Sequence, residues 1–109
     1  MEERLGQLYT FGIWTVHPGK EAEFKRLWDE FAQWSSDHQP GGGDARLVQD
    51  LETPNRFISY GSWASAEHIL AWRGTPEFKA FAAQAQKICD DFRPGRYKLV
   101  SYITPDSGK

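Results

Sequence analysis

Between Leu8 and Val16 the chain reads LYTFGIWTV, nine consecutive uncharged residues dominated by aromatic and aliphatic side chains. That run reads as a strand, and a strand turns alternate residues to opposite faces. Tyr9, Phe11, Ile13 and Thr15 share one face; Leu8, Thr10, Gly12, Trp14 and Val16 share the other. Neither face is polar, so a fold built on this strand has to cover both. Helices can cover one. The other is left to a partner, because an exposed apolar sheet face of this size marks an association site.

The rest of the chain supplies the helices and the remaining strands. His17-Pro18-Gly19 is a turn. From Lys20 to about Ser35, Phe24, Leu27, Trp28 and Phe31 recur at the spacing of one helical face, with Glu21 and Glu23 in the first turn, where the helix dipole favours acids. SSDHQPGGGD, residues 35 to 44, reads as a loop that three successive glycines make mobile, a candidate flap over a ligand. Ala45 to Leu51 and Arg56 to Trp63 read as strands joined by the turn ETPN into an antiparallel hairpin. Ser65 caps a short helix running to about Arg73, and Gly74 stops it. Thr75 caps the next helix, with Pro76 at its first position. Phe78, Phe81, Ala82, Ala85, Ile88, Cys89 and Phe92 form its apolar stripe, and Arg93-Pro94-Gly95 ends it. A last strand is expected over Tyr97 to Ile103, followed by a frayed tail, TPDSGK. The order β-α-β-β-α-β predicts an α+β, ferredoxin-like domain with one four-stranded antiparallel sheet.

With 109 residues the chain fits a single domain, its core spanning about 8 to 103. A net charge of −2 with scattered Lys and Arg argues against a nucleic-acid partner. No apolar run is long enough to span a membrane, and MEERLGQLYTF lacks the apolar core of a secretory signal. The one cysteine, Cys89, forms no internal disulfide, and a cytoplasmic setting is expected.

Aromatics are frequent: five Trp, four Tyr and seven Phe. The stretch YGSWASAEHILAWRGTPEFKAF, residues 60 to 81, brings Trp63 and Trp72 close together in sequence. They are either plain core or flat walls of a pocket for an aromatic or hydrophobic small molecule. In the second case Gly61, on the strand face of Trp63, leaves space, and Ser59 puts a hydroxyl beside it. Trp28 and Phe31 of the first helix, with Phe78 of the last, close the far side. Arg73 is a surface residue or a partner for a phenolate or carboxylate at the mouth. His68 is a surface residue or a general base. His17, His38 and His68 are not clustered, so no metal site is expected. Cys89 reads as an inert buried thiol. Phosphate-loop and nucleophile-elbow spacings are absent.

VHPGKEAEF after the first strand, PGGGDARLVQD leading into the second, and RFISYGSWASAEHILAWRGTPEFKAF resemble the antibiotic biosynthesis monooxygenase family of the dimeric α/β-barrel superfamily, over roughly residues 8 to 103. The resemblance implies a homodimer that pairs its sheets back to back, and a pocket in each subunit between sheet and helices. It implies a monooxygenase that oxidises aromatic phenols to quinones with O₂ and without metal or flavin, with Ser59, Trp63 and His68 as catalytic candidates here. The quinone-forming members carry Asn where Ser59 stands and Tyr where Ile69 stands. Haem-degrading relatives carry a ligand His at the position of Ala82 and an Asn at that of Gly12, so no haem is expected. A non-catalytic binder of a small hydrophobic ligand, and a cyclase or isomerase, remain alternatives on the same scaffold.

Overall fold

Leu8–Val16 forms β1, and it lies inside the sheet rather than at its edge. The computed structural model describes residues 4–105. After β1 come α1 (Glu21–His38), β2 (Gly42–Gln49), β3 (Arg56–Trp63), α2 (Ala66–Arg73), α3 (Pro76–Ile88) and β4 (Cys89–Lys98). The four strands are ordered β2-β3-β1-β4, every neighbouring pair antiparallel. The chain is thus the expected ferredoxin-like α+β fold, with the second helical segment split at Gly74 into α2 and α3.

Cross-strand pairing sorts the residues onto faces. Gly12 stands opposite Ser59 and Pro94, Trp14 opposite Phe57 and Phe92, and Thr10 opposite Gly61 and Arg96. This set faces the helices. Trp14, Val16 and Phe57 join Phe24 of α1 and Phe81, Ala85 and Ile88 of α3 in one buried cluster. Rings carry much of the packing: Trp14 lies 5.0 Å from Phe24 and 5.7 Å from Phe81, and Phe31 stacks on Phe81 at 4.4 Å. On the opposite face Phe11 stacks on Tyr60 at 5.3 Å and meets Tyr97 edge-on at 5.2 Å. Ile13 and Ile58 pair beside them, and Val48 pairs with Ile58 in turn.

Three segments depart from expectation. Helix α1 continues three residues past Ser35, to His38, because no breaker comes before Pro40. Asp37 accepts a hydrogen bond from Gln33 at 3.0 Å, and the amide of Gln39 still reaches Ser35 O at 2.8 Å. The glycine run is therefore no open flap. Gly42 already pairs with Trp63 across β2 and β3, and Gly41, at φ +84°, accepts the Ala64 amide at 2.7 Å. Helix α3 stops at Ile88, so Cys89 and Phe92 belong to β4, not to the helix stripe. Their helical spacing loses to strand pairing: Cys89 pairs with Val16, and Phe92 stacks on Trp14 at 3.8 Å. Pro94 is tolerated because β4 is an edge strand. The last strand accordingly ends at Lys98, opposite Leu8 where β1 begins, and 99–105 have no regular structure instead of forming a strand to Ile103. Of the expected frayed tail, residues 106–109 lie outside the described residues.

Candidate functional site

Between the inner sheet face and the helices lies a cavity of about 450 Å³, within the usual size range of small-molecule sites. Its placement follows from local sequence. Trp63 ends β3 on the inner parity and is buried. Ser65 then caps α2, its hydroxyl accepting the His68 amide at 3.2 Å, and the single short helix folds back so that Trp72 reaches Trp63, ring centres 4.8 Å apart. Thr75 caps α3, accepting the Phe78 amide at 3.1 Å, and Phe78 meets Trp72 edge-on at 4.8 Å. Trp28 and Phe31 from α1 complete the wall. The two Trp of residues 60 to 81 are therefore both packing and lining.

Inside this aromatic wall the polar groups have a common pattern. Trp14 Nε1 donates to Ser59 Oγ at 3.0 Å, Trp63 Nε1 donates to Thr10 Oγ1 at 3.2 Å, and Trp72 Nε1 donates to Ser35 Oγ at 2.9 Å. All six residues line the cavity. Each indole N–H, a donor only, is satisfied by a hydroxyl. Each hydroxyl in turn has one lone pair engaged and keeps its own proton to offer. The charged residues of the lining are Arg73, Asp29 and Asp44. Burial, and next the repulsion of Arg96, lowers the pKa of Arg73 from its ordinary value.

Of the residues expected at the site, Ser59, Trp63, Trp28, Phe31, Gly61, Trp72, Arg73 and Phe78 all line the cavity. His68 does not. Its Nδ1 lies 2.7 Å from Ser65 Oγ and its ring packs over Gly41, so the imidazole braces the α2 cap against the start of β2. That removes it as a base acting inside the cavity. Gly61 lines the cavity too, yet the space is not its doing: a Cβ there would meet Asp44 O at 3.3 Å and Ala45 on β2. The glycine that admits the polar groups is Gly12, where a Cβ would lie 3.0 Å from both Ser59 Oγ and Trp14 Nε1. Thr10, Gly12, Trp14 and Ser35 were missed by sequence reasoning. The signal for the first three is the shared parity of β1 with Ser59 and Gly61; Ser35 has none, since it stands where the expected helix gives way to loop. Cys89 lies outside the lining, half-buried, its thiol pushed up to about 11 by burial and then by Asp90, which keeps it protonated near neutrality. Among the described residues no group of three His, Cys, Asp or Glu could hold a metal ion. No helix among them is long and apolar enough to cross a membrane.

Known structures share this architecture. SnoaB, a cofactor-independent oxygenase from Streptomyces nogalater, superposes with a TM-score of 0.83 at 18% identity, covering 92% of this chain and 99% of SnoaB. A conserved protein from Methanosarcina mazei Go1 gives 0.79 at 18% identity, covering 87% and 94%. At such identities the likeness is one of fold. A search of curated proteins finds no match. The family model described as antibiotic biosynthesis monooxygenase matches residues 12–84, which run from the middle of β1 into α3 and include both Trp63 and Trp72. With the fold and the sheet-to-helix cavity, that match settles the family: the chain belongs to the antibiotic biosynthesis monooxygenase family.

Proposed function

We propose that this protein is a cofactor-independent monooxygenase that oxidises a flat aromatic phenol, held in the cavity between Trp63, Trp72, Phe31 and Phe78. The observation that supports this reading is the cavity's construction: aromatic walls around fixed hydroxyls. Its likeness in fold to SnoaB adds support. Such chemistry asks the protein to bury, orient and desolvate a substrate whose own electrons reduce O₂. In this reading Ser59, which accepts the Trp14 indole N–H at the cavity wall, offers its hydroxyl to a substrate oxygen, and Trp63 forms the flat surface beside it. No cofactor is required in this reading, and the working unit is a homodimer joined through the outer aromatic sheet face.

An anthrone, the keto tautomer of a polycyclic phenol, tests it. Oxidation of its CH₂ to C=O removes four electrons and reduces one O₂, one oxygen atom entering the quinone and the other leaving as water. Under ¹⁸O₂ the purified protein is expected to speed quinone formation, with one ¹⁸O in the product, and Trp63→Phe is expected to lower that rate at least tenfold. A rate equal to the buffer's, with anthrone still bound, would leave a binding protein. That second reading is favoured by one feature: Ile69, where the quinone-forming members carry Tyr, is 1% exposed and has no proton to exchange.

A further inference from the structure

The charges at the cavity are not balanced. Asp29, on α1, is held by Lys25 at 2.6 Å, and Asp44, on β2, lies 3.8 Å from Arg46. Both carboxylates thus have cations of their own. Arg73, on α2, lines the cavity and has no carboxylate within salt-bridge distance among the described residues. Arg96 of β4, exposed and outside the lining, pairs in register with Thr10, likewise without a described acidic partner. Burial, and after it the repulsion of Arg96, disfavours the charge on Arg73. A guanidinium left without a carboxylate beside a partly desolvated site costs stability unless an anion joins it. The hydroxyls point the same way. Ser59, Thr10 and Ser35 each already accept an indole N–H and retain a proton to donate.

We propose that the cavity takes its aromatic ligand as an oxygen anion, with the charged oxygen at Arg73 and the ligand's neutral oxygens accepting from Ser59, Thr10 and Ser35. The inference rests on the reading of the cavity as an aromatic-ligand site. It makes Arg73 a specificity-determining residue that selects ionised ligands over neutral ones of the same shape, through charge-assisted hydrogen bonds that a neutral ligand cannot form. The anion has two possible sources, a ring phenolate or an appended carboxylate.

Three probes, followed by quenching of Trp fluorescence, decide the matter. Alizarin, a hydroxyanthraquinone whose colour reports its ionisation, is expected to bind as its red-shifted anion at a pH at least one unit below its solution pKa. Anthraquinone-2-carboxylate is expected to bind about tenfold tighter than the matching carboxamide. Either preference supports the proposal, and which of them is larger identifies the source of the charge. Arg73→Gln is expected to abolish the preference while the carboxamide still binds, and Arg73→Lys to retain most of it. The retained carboxamide binding shows that the variant is folded. If the carboxamide binds as well as the carboxylate and alizarin binds with an unshifted or raised pKa, the anion proposal fails and the aromatic site stands. If none of the three binds, the aromatic reading of the cavity fails and takes the proposal with it.

Discussion

Gly12 shows how much depends on one missing side chain. At this position the sheet, the Trp14–Ser59 hydrogen bond and the Trp14–Phe92 stack meet, and a Cβ would lie 2.8 Å from the Phe92 ring. Nothing in its backbone demands glycine, since its φ is not in the left-handed region; the demand is for space. Gly12→Ala is expected to destabilise the protein by about 1–3 kcal/mol, the usual cost of overpacking a well-filled site, measured as a lower denaturation midpoint with an unchanged denaturant slope. Gly61→Ala should cost less, because its Cβ would make near-ordinary contacts with β2. The sequence drew attention to Gly61, next to the two Trp, and not to Gly12. The difference was decided by which strands lie opposite, and strand order is not written in either residue's neighbourhood.

At the scale of the element, the β2–β3 hairpin depends on its turn. Asp50 Oδ1 accepts the Glu52 amide at 2.7 Å and the Thr53 amide at 3.0 Å, and those two bonds, the Glu52 one foremost, hold the Asp50 carboxyl below its usual range. A carboxyl whose folded pKa is depressed stabilises the fold above its unfolded pKa, near 4, and loses that contribution as pH falls through the folded value. Asp50→Ala should therefore lower the melting temperature at pH 7, and the gap from the parent should shrink as pH falls below about 4. A gap that stays constant from pH 7 to pH 2 would show that the carboxylate's charge plays no part. The hairpin and the capped starts of α2 and α3 were legible because turns and caps are local chemistry. The ends of α1 and α3 were not. Ser35 to His38 are polar enough to read as loop but complete a helix turn, and Cys89 and Phe92 fit a helical stripe but gain more by pairing with β1.

For the whole molecule, the outer sheet face is the open question that β1 raised. Val48 is 45% exposed, Ile58 36% and Tyr97 58%, around the stacked Phe11–Tyr60 pair, and Val100 and Ile103 stand exposed beyond β4. Covering such a face with the same face of a second copy is a two-fold, self-complementary solution. Light scattering is expected to return about twice the chain mass of 12.5 kDa. Ile58→Glu, in the middle of that face, is expected to shift the population toward monomer without loss of helical signal. A single monomeric species at micromolar concentration for the parent would remove the dimer.

Much of this protein follows from local order along the chain. Alternation in Leu8–Val16 required a strand covered on both sides, and the capped helices with the hairpin between them led to the ferredoxin-like arrangement that the structure has. Those features rest on periodicity, capping and turn chemistry, whose range is a few residues. What only the tertiary structure decided is longer in range. Strand order set Gly12 under Ser59 and Arg96 beside Thr10, residues far apart in sequence. Helix packing brought Ser35 to Trp72 and turned His68 toward Gly41 and away from the cavity. A residue's type tells what chemistry it can do. Its partners across the sheet and between helices decide which groups share one cavity, because cross-strand register and helix docking are settled by the packing of the whole core.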